Sequence, residues 1–415
     1  MEGVQTHGWR TALAGSQMLF VAFGALVLMP LITSMDPSVA LFTAGIGTLI
    51  FQFTTRRQIP IFLASSFAFI APILYSNQTW GLPATLGGLL AAGITYILLS
   101  LVILWRGPGF IQRLLPPVVV GPVIMVIGLG LASVAVNMAT GKSGDGSQQL
   151  VDTNLALIIS MASLATTIFV AVYAKGLFRL VPILAGVIVG YGLSWILGVT
   201  SLDSVTTAPW LAVPEFVTPE FKLAAILFMI PVAIAPAIEH IGDVLAIGGV
   251  TGKDYLQKPG LQNTLLGDGL ATSAAALFGG PPNTTYSEVT GAVMLTRNFN
   301  PNVMIWAAVF AIGLSFVDKF GAVLLSMPVP VMGGILCLLF GSIAVVGMNT
   351  LIRQQVDLSQ ARNLCIVSVT LVFGIGGMAI GNDSLSLQGI SLCGVVAIIL
   401  NLVLPADKGQ AELTK

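Results

Sequence analysis

The chain has 415 residues, of which 56% are hydrophobic and only 8% are charged, and its mean hydropathy is +0.95. A water-soluble protein of this length does not have such a composition, so soluble enzymes are excluded. Lys plus Arg and Asp plus Glu each number 17, and the net charge of zero without a basic run argues against a nucleic-acid partner. The cysteines sit singly in apolar segments, so we predict no metal site.

Apolar segments of about 20 residues, the length that crosses a bilayer, occur along the whole chain. They predict an all-α integral membrane protein with fourteen transmembrane segments, numbered here in chain order. Segments 3 and 10 are the shortest or most interrupted. The segments lie near 13–33, 38–55, 59–75, 84–105, 116–138, 153–173, 180–198, 223–241, 261–279, 283–296, 303–325, 328–348, 361–380 and 389–405.

The basic residues predict the orientation of these segments. With a cytoplasmic N-terminus, all but three of the 17 basic residues fall on the inner side, and only Lys142, Lys222 and Lys319 fall outside. This bias is what the positive-inside rule requires, and a missing or extra segment would scramble it. Both termini are then cytoplasmic, and residues 406–415 form a cytoplasmic tail.

The first and second sets of seven segments look like copies of one another. A single shift along the chain lays Leu115–Gly121 on Met327–Gly333, which are both proline-led apolar runs. The same shift carries Ser65–Pro72 onto residues 277–284. Because seven is odd, the second copy enters the membrane from the opposite side, which predicts an inverted repeat.

A run rich in glycine, proline and hydroxyl residues, Gly279–Glu288, interrupts the second copy. Its two glycines and two prolines cannot continue a helix, and irregular backbone at membrane depth persists only where protein buries it or it lines a cavity. Where the helix restarts near Tyr286, Ser287 and Glu288, its first amides lack intrahelical partners and point into the gap. We therefore predict a binding site here, the alternative being an extramembrane loop.

Carboxylates inside the apolar segments also indicate a functional site, since inserting a charge at mid-bilayer costs roughly 2.5–3.5 kcal/mol. Glu239 follows an apolar run, and Asp243 lies four residues later on the same helix face. Burial and a neighbouring like charge both favour the protonated form, so we predict that this pair holds a proton. The alternative is a segment that ends at Glu239 and leaves both acids in water. Glu288 is either a ligand contact or a helix cap. His240 is predicted to be a packing or orienting residue rather than a second ligand.

Several separated motifs of this chain, which agree in order and extend from about Gln17 to about Leu404, resemble those of the nucleobase–ascorbate transporters. Within that family the resemblance is greatest to the bacterial uracil permeases. The motifs are Gln17 with Phe23–Ala25, Ser65–Phe69, Glu239–Gly242, and Pro282–Glu288 followed by Gly291 and Thr296–Arg297.

The resemblance implies a proton-coupled symporter, not an enzyme, that imports uracil across the bacterial inner membrane by alternating access. It implies short extended strands in segments 3 and 10, the proton as coupling ion without another cofactor, and a possible homodimer through the gate domain. By family analogy residues 1–112 and 219–325 form a core domain, and residues 113–218 and 326–405 form the gate domain.

Site residues also carry over from the family. The pyrimidine contacts correspond to Phe67, Glu239, Ser287 and Glu288, and Ala25, Tyr286 and Asp243 line the pocket, with Glu239 and Asp243 coupling the proton.

Three positions depart from the usual family pattern. Met18 and Val289 are apolar where many members have histidine and asparagine. Asp243 stands where the best-known uracil permeases have histidine, although other members have aspartate there. These departures concern the coupling step more than the substrate site.

Three other functions compete with uracil symport. A xanthine or other purine symporter would use the same scaffold. A sulfate-permease-type anion transporter shares the inverted repeat, but Glu239 and Glu288 would repel an anion. A membrane-embedded enzyme lacks a recognisable nucleophile or metal cluster in this sequence.

Overall fold

The computed structural model describes residues 8–107, 109, 113–382 and 385–405. Of Leu177, Ser287, Asn382, Leu385 and Ser386 it describes the backbone only. The predicted cytoplasmic tail, residues 406–415, lies outside the described part of the chain.

The first copy consists of paired helices around one short strand. Segments 1 and 5 are each bent into two helices, and segment 3 is a strand followed by a half-helix. The elements are α1 Gly8–Val21, α2 Phe23–Ile32, α3 Pro37–Thr54, β1 Leu63–Ser65, α4 Ile70–Trp80, α5 Leu82–Arg106, α6 Pro117–Gly130, α7 Ala132–Ala139, α8 Thr153–Tyr173 and α9 Pro182–Ile196, followed by the short α10 Asp203–Thr207.

The second copy repeats this plan. Segment 8 is bent into two helices, and segment 10 is again a strand followed by a half-helix. The elements are α11 Leu223–Val232, α12 Ile234–Thr251, α13 Leu261–Leu277, β2 Asn283–Thr285, α14 Ser287–Thr296, α15 Asn302–Ser315, α16 Asp318–Leu325, α17 Val329–Arg353, α18 Ala361–Ile375, β3 Ala379–Asn382, β4 Leu385–Gln388 and α19 Gly389–Val403.

The described helices confirm a multi-pass membrane protein. Seven helical stretches are long and apolar enough to cross a bilayer, or eight if α15 and α16, which are bent by 83°, count as one span. Three further apolar helices, α9, α18 and α19, are shorter. The predicted all-α fold with short strands in segments 3 and 10 is confirmed.

The two strands of the broken segments pair with each other in the middle of the protein. β1 and β2 are antiparallel, and Ala64 lies opposite Thr284. Helix α6 begins at Pro117 and α17 begins at Val329, and the distance between them along the chain equals the predicted shift between the copies. The starts of β1 and β2 lie further apart along the chain than this shift. The predicted alignment of Ser65–Pro72 with residues 277–284 was therefore wrong, because the connection from strand to gate helix is longer in the first copy.

Side chains of α3 form hydrogen bonds with backbone groups of segment 3 that have no partner within a helix. Thr48 Oγ1 accepts a hydrogen bond of 2.9 Å from the Leu63 amide. The Gln52 side-chain amide donates bonds of 2.9 Å to the carbonyls of Ile59 and Ile61. Since an unsatisfied backbone group in hydrocarbon costs several kcal/mol, these polar residues are what allows segment 3 to be non-helical.

The second strand is held in the same way. The Asn283 side-chain amide donates to the Thr43 carbonyl at 3.0 Å, and Thr272 Oγ1 donates to the Asn283 carbonyl at 2.8 Å. Gly47 permits this close approach, because a Cβ there would lie 2.5 Å from Asn283 Nδ2. The two strands are thus held by α3, which belongs to the first copy, and by α13, which belongs to the second.

Segment 11 is not the straight helix that its apolar run predicts. The stretch before α11 lies along the break between α15 and α16. There the Ala212 amide donates to the Phe316 carbonyl at 3.1 Å, and the Asp318 amide donates to the Trp210 carbonyl at 3.2 Å. Backbone groups at the break are therefore hydrogen-bonded to a loop from the middle of the chain. The apolar pattern of segment 11 alone does not show this contact.

Several helix ends differ from the predicted segments. Segment 8 continues as α12 to Thr251 rather than ending near residue 241, and α17 continues to Arg353 rather than residue 348. Polar or glycine residues interrupt the apolar pattern in both extensions, Gly242 and Asp243 in α12 and Asn349 and Arg353 in α17, whereas the helices continue through them. Segment 13 ends at Ile375, and an unpredicted antiparallel hairpin, β3 with β4, follows it.

Candidate functional site

A cavity of about 440 Å³ lies beside the paired strands. Helix α12 lines one side of it, and α6 and α17 line the other. Its inner end is formed by Ser65, Phe67, Thr284 and Tyr286, which are only 1% to 5% exposed. The lining residues near the far ends of α12 and α17, such as Arg353, are exposed. The cavity is therefore closed at the strand crossing and open where α12 and α17 end, an opening called the mouth below.

Three carboxylates line this cavity. Glu239 and Asp243 lie one turn apart in the interior of α12, which continues past both acids to Thr251. Glu288 lies in the first turn of α14. Asp243 Oδ2 accepts a hydrogen bond of 2.8 Å from Thr285 Oγ1, and Glu239 Oε2 is buried with no hydrogen-bond partner among the described residues. The structure thus brings all three predicted acids to one site.

The aromatic residues predicted for the site occupy its closed end. Phe67 begins a 3-10 turn directly after β1, and its ring meets Phe340 of α17 edge-on, with the centroids 6.1 Å apart. Tyr286 precedes α14, and its hydroxyl lies beside Gly24, where a Cβ would be 3.5 Å away. Ala25 is completely buried and is not among the described cavity-lining residues.

Ser287 is the remaining predicted contact. Its backbone begins α14, next to the cavity, and its side chain lies outside what the structure describes. The amide at this position belongs to the first turn of a half-helix, whose N–H groups have no intrahelical acceptor. Both strands lead to a half-helix: β2 leads through Tyr286 into α14, and β1 leads through the 3-10 turn at Phe67 into α4. The site therefore offers hydrogen-bond donors from the backbone opposite acceptors from the acids.

Two hydroxyl groups at the closed end were not predicted as site residues. Ser65 and Thr284 line the cavity, and their hydroxyls are buried without a hydrogen-bond partner among the described residues. Buried polar groups are usually paired, so these two hydroxyls are available to a bound molecule. A signal was present, since each lies in a motif that interrupts an apolar segment.

A fully buried polar pair stands behind Glu239. His240 Nδ1 lies 2.9 Å from Asp268 Oδ2, and His240 Nε2 lies 2.9 Å from Thr264 Oγ1. The side chains of His240 and Asp268 are 0% and 2% exposed. This arrangement ties α12 to α13 and fixes the residue next to Glu239 in the sequence. The packing or orienting role of His240 stays a prediction.

Replacing Asp268 by leucine is expected to destabilise the protein by about 1–3 kcal/mol, because the His240 imidazole loses its partner in a dry interior. The apparent melting temperature of the detergent-solubilised protein measures this loss. The double variant His240→Phe with Asp268→Leu should regain part of it, since both polar groups are then removed together. An unchanged melting temperature in the single variant would contradict a stabilising role for the pair.

Comparison with known proteins agrees with this geometry. A model of a permease family matches residues 10–383. A "Probable uracil permease" of Pasteurella multocida is 61% identical over 404 residues, which cover 97% of this chain and 95% of that protein. The "Uracil permease" of Bacillus caldolyticus is 44% identical over 403 residues, covering 95% and 92%.

The fold is similar to that of a solved anion carrier. The transmembrane domain of a cyanobacterium bicarbonate transporter, BicA, superposes with a TM-score of 0.66 at 14% identity, covering 96% of this chain and 98% of that one. At this low identity the likeness concerns the fold alone, and it supports the inverted-repeat architecture. Together, the family match and the near full-length relatives show that the chain belongs to the nucleobase–ascorbate transporter family, as its motifs predicted.

Proposed function

We propose that this protein imports uracil across the bacterial inner membrane by proton-coupled symport with alternating access. The observation that carries the proposal is the cavity beside the paired strands, where Glu239 of α12 and Glu288 of α14 come together. Support for uracil comes from the relatives, which bear the name uracil permease and match nearly the whole chain.

The cavity is complementary to a neutral pyrimidine. Uracil has ring N–H donors and two carbonyl acceptors. Glu239 and Glu288 accept from the N–H groups, the backbone amides near Phe67 and Ser287 donate to the carbonyls, and the Phe67 ring covers the flat base. Tyr286 shapes the closed end, and its hydroxyl lies beside Gly24, the neighbour of the buried Ala25. Each contact uses a group that lacks a helix partner or lies on the cavity wall.

Proton coupling is assigned to Glu239 with Asp243. Like charges in a poorly solvated cavity repel one another, so binding of a neutral base is favoured when Glu239 carries a proton. Asp243 lies one turn away and is held by Thr285. We propose that Glu239 is protonated for tight binding from outside and releases its proton towards the cytoplasm.

Alternating access requires two bodies that move against each other. In our proposal the core domain, residues 1–112 and 219–325, carries the strands and the acids, and the gate domain, residues 113–218 and 326–405, supplies α6 and α17. The cavity lies where these two parts face each other. A ligand shifts such an equilibrium only through different affinities for the two states. Uracil and the proton must therefore each stabilise the loaded carrier, in which the core domain tilts against the gate domain.

The mouth of the cavity lies at the end of α17 that carries Arg353. The distribution of basic residues supports a cytoplasmic location for this end, with both termini on the same side. The structure then represents an inward-open state in the proposed orientation. A homodimer through the gate domain remains a prediction, which cross-linking in the native membrane can test.

Uptake of labelled uracil into proteoliposomes tests the proposed function. With an inward proton gradient, uracil should accumulate above its external concentration, and a protonophore should reduce the internal concentration to the external one. Excess unlabelled xanthine should not compete, whereas unlabelled uracil should. Efficient competition by xanthine, or chloride or sulfate flux instead of uracil uptake, would overturn the proposal in favour of a purine or anion carrier.

A further inference from the structure

One face of α17 forms the wall of the cavity opposite the acids. The residues of this face recur at the spacing of a helix, and they run from the closed end to the mouth. Towards the mouth the face becomes polar. The lining residues within α17 are Ser342, Ile343, Val346, Asn349, Thr350 and Arg353.

Two of these polar side chains are free to bind. Asn349 and Arg353 are exposed to the cavity mouth, and within the described part of the chain neither side chain has a hydrogen bond, ion pair or ring contact. The neighbouring Thr350 hydroxyl is already used, since it donates to the Val346 carbonyl at 3.0 Å. The Asn349 amide and the Arg353 guanidinium are therefore unused hydrogen-bond donors beside the route to the mouth.

The opposite wall leaves room beside these donors. On α12 the lining residues beyond Asp243 are Leu245 and Ala246, and a Cβ placed on Gly242 would meet no atom within 4 Å. The missing side chain at Gly242 and the small one at Ala246 leave open space on this wall. The two walls also differ chemically, because the α12 wall carries acceptors at Glu239 and Asp243, whereas the α17 wall carries donors.

We propose that Asn349 and Arg353 form a release subsite for the pyrimidine, between the buried site and the mouth. The inference rests on the proposed function, because its ligand is a neutral base with carbonyl acceptors. When the base leaves the acids, its ring carbonyls accept hydrogen bonds from the Asn349 amide and the Arg353 guanidinium. The subsite exists only while the mouth is open, since it belongs to the gate side of the cavity.

The test compares transport from the two sides of the membrane without a proton gradient. Labelled uracil is supplied either from the mouth side or from the opposite side of vesicles of known orientation. With Asn349→Ala, we expect the half-saturating uracil concentration from the mouth side to rise roughly two- to tenfold, the effect of one neutral hydrogen bond. Arg353→Gln should give a larger rise, because a charged donor is lost. The half-saturating concentration from the opposite side should stay unchanged.

The maximal rate separates this role from structural damage. At equilibrium the ratio of maximal rate to half-saturating concentration must be the same in both directions. Loss of a bound intermediate should therefore raise the maximal rate from the mouth side by the same factor, whereas a damaged carrier would be slower. Met348→Ala and Ile352→Ala are matched controls, since both residues are exposed neighbours in α17 outside the cavity lining.

Two outcomes are decisive. Unchanged mouth-side values in both Asn349→Ala and Arg353→Gln would overturn the subsite while leaving wild-type uracil uptake intact. Absence of uracil uptake by the wild type would instead overturn the proposed function. If Arg353→Gln fails to insert, Arg353→Lys, which keeps a charged donor and should remain close to wild type, and Asn349→Ala still decide the question.

Discussion

Replacing Glu239 by glutamine is expected to abolish proton-driven accumulation of uracil while leaving uracil exchange intact. Glutamine has nearly the same shape and still forms hydrogen bonds, but it cannot take up and release a proton. With one proton per uracil, a pH difference of one unit supports roughly a tenfold accumulation, because one unit corresponds to about 1.4 kcal/mol. The variant should fall to a ratio of about one under the same gradient.

Uphill uptake and counterflow in the same proteoliposomes separate the two effects. Counterflow exchanges labelled for unlabelled uracil and needs no net proton movement, so it should persist in Glu239→Gln. The matched control is Glu215→Gln, an exposed acid outside the cavity lining, which should accumulate uracil like the wild type. Tenfold accumulation by Glu239→Gln would refute its role in coupling.

Replacing Glu288 by alanine is expected to raise the half-saturating uracil concentration by roughly ten- to a hundredfold, since one hydrogen bond to a charged group is lost. The side chain lines the cavity from the first turn of α14, and among the described residues of this helix no other carries a carboxylate. Glu288→Gln keeps an acceptor and should have a smaller effect. Initial rates of uptake over a range of uracil concentrations measure both.

The same variants distinguish a ligand contact from a helix cap. If Glu288 only stabilises the start of α14, Glu288→Ala should lower the apparent melting temperature and leave the half-saturating concentration unchanged. If it binds uracil, excess uracil should raise the melting temperature of the wild type but not that of the variant. Glu215→Ala serves as the control for a lost exposed charge.

Much of the site could be predicted because its signals are local. Two glycines followed by two prolines cannot continue a helix, so Gly279–Glu288 had to interrupt its segment. The spacing of Glu239 and Asp243 places both acids on one helix face whatever surrounds them. The family motifs add the residues of segment 3. Such features need no knowledge of which part of the chain lies opposite.

What the sequence did not reveal depends on contacts between distant parts of the chain. The pairing of β1 with β2 is set by side chains of α3 and α13, so a single constant shift between the two copies misplaced it. The donors Asn349 and Arg353 lie beyond the predicted end of segment 12, where the apolar pattern stops but the helix continues. The partner of His240 likewise lies on another helix.

The strand pairing also has a consequence for biosynthesis. The polar edge of β1 is completed by β2, which belongs to the second half of the chain. During translation, segment 3 leaves the ribosome long before its complement exists, and lipid provides no substitute partner for its backbone. We therefore expect segment 3 to reach its final depth only after segment 10 has been inserted, so that the transport site is assembled late and from both halves of the chain together.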